Sequence, residues 1–296
     1  MSSPDLTIDA TPRRRPGRWA AAGVVLLLVA MLAWSALTNP RYQWDVVRNW
    51  FTARTIVTGL LVTLQLTAIS MAIGIVLGIV LAVMRGSANR VLSTSAGTFI
   101  WFFRGTPLLV QLIFWYNLSA LYPRITIGVP FVGPELVALD ANAIITPMTA
   151  AVLGLALNEG AYMAEIVRAG ILSVPRGQVL AAAAIGLTPM RTMQKIILPQ
   201  AMRVIVPPTG NQVISMLKTS SLVSVLAIPE LLYSAQIVYA RTFETIPLLI
   251  VASIWYLIMT SVLTVGQGFL ERRFSPDAER VPGRVARMLA RTGGAG

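Results

Sequence analysis

Long apolar blocks alternate with short polar, arginine-bearing links along this chain, and the blocks follow neither a helix period nor a strand period. A helix needs about 20 predominantly apolar residues to cross a hydrocarbon core. Residues 19–37 carry no charge and form the first predicted span, and 55–84 the second. The third, about 95–121, contains Arg104 and Gly105-Thr106-Pro107; the fourth, about 143–171, contains Glu159, Glu165 and Arg168. The fifth, about 204–228, is interrupted by Pro207, Pro208, Gly210 and Lys218, and the sixth covers 248–270. The prediction is an all-α, polytopic protein of six spans. Residues 39–54, 122–142 and 229–247 are expected as external links, and both termini as cytoplasmic.

One long stretch breaks the pattern. Residues 174–203 read as a helix pair outside the membrane: an alanine-rich first helix favoured by propensity, then Gly186 where a left-handed residue ends it. Thr188 is placed to cap a second helix with Pro189 at its first position. That helix is expected to stop near Leu198, because Pro199 disfavours simple continuation. Its surface is expected to mix Leu187, Met190 and Met193 with Arg191 and Lys195. Such a face suits a groove on another protein, or else an anionic lipid surface.

Composition sharpens this by exclusion. The chain is 55% hydrophobic and 12% charged, with no cysteine and no histidine. That excludes a disulfide framework, a thiolate nucleophile, a Cys/His metal site and a Ser-His-Asp triad. No G-x-x-x-x-G-K-[ST] loop is present, so no nucleotide hydrolysis is expected in this chain. The net charge of +12 is spread beside the apolar blocks, as in cytoplasmic loops, rather than along one stripe as for nucleic acid. Residues 1–18 read as a cytoplasmic tail ending in a basic cluster. A basic stretch before an apolar one also fits a signal peptide, but the apolar run exceeds a typical signal core. Gly74-x-x-x-Gly78 in the second span is a small-residue motif that permits close helix approach, or simply reflects how common glycine is in membrane helices.

Ionisable groups inside spans are the default functional candidates. They are Arg104, Glu159, Glu165, Arg168 and Lys218, with Asn158, Tyr162, Asn211 and Gln212 as neutral hydrogen-bonding candidates. The structural alternatives are a Glu165–Arg168 pair within one helix turn, and an Arg104 that snorkels to the boundary.

At Leu180-Ala181-Ala182, Gly186 and Ile196-Ile197-Leu198-Pro199 the helix pair resembles the EAA loop of binding-protein-dependent ABC permeases. That motif reads Glu-Ala-Ala, three residues, Gly, nine residues, Ile-x-Leu-Pro, and the spacing here is intact. The segments 103–112 (FRGTPLLVQL), 160–168 (GAYMAEIVR), 198–201 (LPQA) and 208–231 are similar to those of polar amino acid permeases. The resemblance covers about residues 55–272. It implies a five-helix type I importer core in 55–272, preceded by an additional helix and link in 19–54, with a basic tail in 273–296.

It further implies a permease subunit in a prokaryotic plasma membrane that carries a polar amino acid inward and holds no catalytic residue, metal or cofactor. ATP and Mg would be bound by a partner ATPase, and an extracytoplasmic binding protein would deliver substrate. A second permease, identical or homologous, would complete the pore. Leu180, Ala181, Ala182, Gly186, Leu187, Met190, Leu198 and Pro199 would form the coupling surface. Asn158, Glu159, Tyr162, Asn211, Gln212, Lys218 and Arg104 are the substrate-path candidates. Two departures stand out: Leu180 replaces the family's Glu, and Thr219 stands where relatives often carry Asp. The alternatives, an ATP-independent carrier or channel and a non-transporting scaffold, leave respectively the helix pair and the intramembrane charges unexplained.

Overall fold

A computed structural model describes residues 16–128 and 135–274; most of both predicted tails, and the tip of the 122–142 link, lie outside these. Helix α1 (Pro16–Thr38) is followed by a 3-10 turn (Pro40–Tyr42), α2 (Trp44–Phe51) and the long α3 (Arg54–Arg85). Next come α4 (Arg90–Gly105), α5 (Leu108–Tyr116) and α6 (Leu118–Leu121). Strands β1 (Arg124–Gly128) and β2 (Glu135–Asp140) form an antiparallel pair, then α7 (Ala141–Ile144) leads into α8 (Pro147–Leu172). Outside that bundle lie α9 (Arg176–Ala184), α10 (Pro189–Thr192) and a π-turn at Met193–Ile197. Helix α11 (Leu198–Thr219), a 3-10 segment (Ser220–Leu226), α12 (Leu231–Thr242) and α13 (Thr245–Phe274) complete the fold.

Four helices, α1, α3, α8 and α13, are long and apolar enough to cross a membrane, and two bent pairs bring the number to as many as six. The expected third span is one of these pairs. It is not a continuous helix: α4 and α5 meet at 103°. Thr106 before Pro107 is extended (φ −106°, ψ 142°), the conformation a following proline imposes, and Pro107 offers no N–H to continue the ladder. The stretches expected as links carry structure of their own: 229–247 holds α12, 39–54 holds α2, and in 122–142 strands β1 and β2 pair as a hairpin. Finally, the helix after Pro189 does not end at Pro199. A π-turn precedes it, so Pro199 falls in the first turn of α11, where its missing N–H has no intrahelical partner to lose.

The central crossing is α3 against α8. Glycines bring the two backbones together: a Cβ on Gly74 would lie 2.8 Å from Glu159 Cβ, and one on Gly78 would lie 2.9 Å from the Ala164 backbone N and collide with Met163 Cβ. Gly160 on α8 likewise accepts Leu77 of α3. The small-residue motif of the second span is therefore a packing surface, as close approach in membranes requires. Around it Leu66, Leu112, Leu155 and Val223 form one apolar cluster, and Ile56, Leu217, Leu231 and Leu248 another. The two prolines of α11, Pro207 and Pro208, lie inside a helix that continues past them; Gln267 of α13 donates to the Pro207 carbonyl at 3.4 Å. By contrast α1 is exposed along its apolar length, joined to the body by the α2 region and a bond from Trp44 Nε1 to the Ala36 carbonyl (2.8 Å).

Candidate translocation cavity and coupling surface

A cavity of about 310 Å³ opens between α8 and α11. Asn158, Glu159 and Tyr162 line it from α8, and Gln212, Ser215, Met216 and Thr219 from α11. The α11 set falls at i, i+3, i+4 and i+7, one face of a helix. Leu108, the first residue of α5, completes the wall. Glu159 is the one acidic side chain among its lining residues, and no Lys or Arg lines it. Glu159 is 5% exposed, its stem seated over Gly74, and its buried Oε1 has no hydrogen-bond partner among the described residues.

Asn158 has two duties. Its Nδ2 donates to the Phe103 carbonyl (2.9 Å) and to Gln111 Oε1 (3.3 Å). Gln111, buried on α5, donates through Nε2 to the carbonyls of Phe103 and Thr106 (3.0 Å each) and to Thr106 Oγ1 (2.7 Å). These bonds satisfy carbonyls freed where α4 stops, as backbone at membrane depth requires. The bend is thus pinned to α8 beside the cavity.

Of the path candidates, Asn158, Glu159, Tyr162 and Gln212 share this cavity; Arg104, Asn211 and Lys218 do not line it. Arg104 lies over the Tyr162 ring, 5.2 Å from its centroid, rather than paired with a carboxylate. Asn211 and Lys218 are exposed on a neighbouring stripe of α11. Glu165 and Arg168 form the one-turn ion pair at 2.7 Å. A carboxylate that sequence inspection passed over, Glu230, is fully buried. It caps α12 by accepting from the Leu232 and Tyr233 N–H groups (2.9 and 2.8 Å) and accepts from Tyr256 Oη (2.9 Å) and Thr63 Oγ1 (3.4 Å). Its one sequence signal was an acid just ahead of an apolar run, the position of a cap.

At the end of the bundle where α3 and α8 stop, α9 and its turn into α10 form where expected, while the second helix continues into α11. Gly186 is left-handed (φ 77°) and Thr188 Oγ1 accepts from the Arg191 N–H. Leu180, Ile185 and Met190 are 70%, 77% and 66% exposed, with Ala181, Arg191 and Lys195 exposed alongside. Ala182 is buried, Leu187 and Met193 are half-buried, and Leu198 and Pro199 are exposed at the foot of α11.

A multi-pass helical body, a cavity between its spans and an exposed apolar face outside them fit a membrane permease. A family model described as the binding-protein-dependent transport system inner membrane component matches residues 74–276, and the chain belongs to that family. The arginine transport system permease protein ArgU of Corynebacterium glutamicum is 48% identical over 285 residues, which is 96% of this chain and 87% of that protein. The L-cystine transport system permease protein TcyB of Bacillus subtilis is 37% identical over 231 residues, 78% of this chain and 90% of its own length. A solved amino acid ABC transporter with histidines is 36% identical, with a TM-score of 0.63, across 74% of this chain and 94% of that one. This chain is therefore the membrane-spanning permease subunit of an amino acid ABC importer. It is a transport subunit and not an enzyme, since ATP is hydrolysed by a separate subunit.

Proposed function

We infer that this permease imports a cationic amino acid of the arginine type. The observation that carries this reading is Glu159, a buried carboxylate in a cavity that no Lys or Arg lines. A carboxyl group held away from water either stays neutral or ionises beside an opposite charge, and a substrate guanidinium or ammonium would supply that charge. Asn158, Gln212 and Ser215 would take hydrogen bonds from the substrate. Similarity to an arginine transport permease along 96% of the chain favours the same class, where sequence alone left basic, acidic and amide substrates open.

In this reading an extracytoplasmic binding protein delivers substrate on the side of the β1–β2 hairpin, and both termini face the cytoplasm of a prokaryotic cell. A partner ATPase, which binds ATP and Mg, docks on Leu180, Ala181, Gly186, Leu187 and Met190. ATP binding draws two permease halves between inward-open and outward-open arrangements. The second half is an identical or homologous permease. Its surface would cover Asn211 and Lys218, an exposed polar stripe otherwise costly in lipid.

The test is uptake of labelled L-arginine, L-glutamine and L-glutamate into proteoliposomes holding the chain, its ATPase and its binding protein. ATP-dependent accumulation of arginine alone, with its KM raised about tenfold or more in Glu159→Gln, is expected. Accumulation of glutamate or glutamine in preference, or arginine uptake unchanged in the variant, would defeat the reading.

A further inference from the structure

We propose that Gln178 and Gln200 are positioning residues for energy coupling: their hydrogen bond makes both halves of the docking face move with α11 as one body. The inference rests on the reading of α9 and α10 as the ATPase's docking face, and adds how a pull on α9 reaches the cavity.

The two halves of that face are joined to α11 in different ways. Met190 stands on α10, and α10, the π-turn and α11 make one uninterrupted helical run from Pro189 to Thr219. A displacement of Met190 therefore passes along the helix to Gln212, Ser215, Met216 and Thr219 at the cavity wall. Leu180 and Ala181 stand on α9, which lacks such continuity. Between α9 and α10 the chain turns through Gly186 (φ 77°), and no atom lies within 4 Å of where its Cβ would be. Packing does not brace that turn, and glycine has the most permissive backbone. Ala182 is the one buried residue of α9. A load on α9 alone would bend the turn before it moved α11.

One side-chain bond closes the gap. Gln200 Nε2, in the first turn of α11, donates to Gln178 Oε1 in the first turn of α9, 22 residues away in sequence. Among the described residues it is the only side-chain hydrogen bond from α9 to another element. The same Nε2 donates to the Ile196 carbonyl at 2.8 Å, so both amide hydrogens are used. Turning the amide over would set its oxygen against that carbonyl, and the donor is thereby held facing Gln178. The bond lies within one turn of Leu180 and Ala181 on one helix, and at the start of the run to the cavity on the other. An exposed neutral bond of this kind adds little to stability, since water satisfies both amides when it breaks. Its effect is on geometry. With the bond broken, α9 follows the ATPase while α11 lags, and each ATP hydrolysed moves less substrate.

The test measures ATP hydrolysed per amino acid imported, in proteoliposomes holding the permease, its ATPase and its binding protein, with labelled L-arginine as probe. L-glutamine or L-glutamate takes its place if either is the amino acid accumulated. Gln178→Met keeps the length of an exposed side chain and removes the acceptor. The ratio is expected to rise about twofold to tenfold, the population change that one neutral hydrogen bond controls, with ATPase co-purification unchanged. Gln178→Glu keeps the acceptor and is expected to keep the wild-type ratio. Gln200→Met should match Gln178→Met, and the double variant should go no further than the larger single effect. An unchanged ratio in Gln178→Met overturns the proposal, and so does an equal rise in Gln178→Glu. Loss of co-purification in Gln178→Met also overturns it, because Gln178 would then belong to the docking contact itself. These outcomes stand even if Gln200→Met does not fold. The docking reading fails separately, if Met190→Asp leaves ATPase association unchanged.

Discussion

Helices α8 and α9 are neighbours in sequence and inverted in chemistry. Within the bundle, α8 buries Glu159 and half-buries Asn158, among residues whose surroundings would ordinarily be apolar. Just past its end, α9 and α10 hold Leu180, Ile185 and Met190 outside the spans and exposed. Each arrangement is unfavourable by itself: polar groups dislike burial without partners, and contiguous exposed apolar side chains mark an interaction surface. The difference teaches that function here sits where side chain and surroundings disagree. The α3–α8 crossing, where they agree, sets the frame that holds both.

The frame should fail first. At Gly78 an added Cβ meets Met163 Cβ and the Ala164 backbone N, which belong to a packed helix and do not yield. Gly78→Leu is expected to destabilise by about 3 kcal/mol or more, the upper range for overpacking. Size-exclusion profiles of the detergent-solubilised protein would then lose the monodisperse peak. A stable Gly78→Leu would mean the crossing is looser than the glycines imply.

Two substitutions separate the inverted regions. Glu159→Gln keeps shape and removes charge, so arginine KM is expected to rise about tenfold or more while ATPase association is unchanged; a lost charge-assisted bond accounts for that size. Gly186→Val acts oppositely. A β-branched residue at φ 77° is strained by roughly 1–2 kcal/mol, enough to reshape the turn between α9 and α10. Co-purification of the ATPase should drop and uptake fail, with membrane insertion intact. If both variants show the same phenotype, cavity and docking face are not separable, and the comparison breaks.

Smaller in effect is the Glu230 node. Tyr256→Phe removes one donor to a carboxylate that keeps its bonds from Leu232, Tyr233 and Thr63. The expected loss is about 1 kcal/mol, read as a modest drop in Tm with transport retained.

How much of this was legible follows from the same contrast. The helix pair could be read closely because its signals are local: Gly186, Thr188 and Pro189 each act on their own turn. Asn158, Glu159, Tyr162 and Gln212 were accessible because polar residues in a span need a reason. What hydropathy hides is direction. The apolar window ran through Gly105-Thr106-Pro107 without revealing a 103° bend, so Leu108 and Gln111 entered only as members of the 103–112 segment, with no place at a cavity. Arg104, Asn211 and Lys218 carry the same polarity as the cavity set but lie off its wall, a matter of which face of α11 or end of α4 they occupy. Glu230 falls in the 229–247 stretch expected as an external link, yet its carboxylate joins α3, α12 and α13.

The subtlest test concerns Leu180, where the family carries Glu. Two accounts of that departure differ in sign. If a charged seat for Glu persists on the ATPase, Leu180→Glu should tighten docking. If the apolar face formed with Ile185 and Met190 has replaced it, the same change should weaken docking, because burying Leu is worth roughly 1.5–3 kcal/mol when complete. Leu180 is 70% exposed in the lone chain, with Ile185 and Met190 exposed to a similar degree, so the apolar account is expected. The partial burial of such a contact predicts a loss of about threefold to tenfold in ATPase affinity, measured by titrating the ATPase onto permease in nanodiscs. A gain instead would place an unused cationic seat on the ATPase, as expected if a second, Glu-bearing permease shares it.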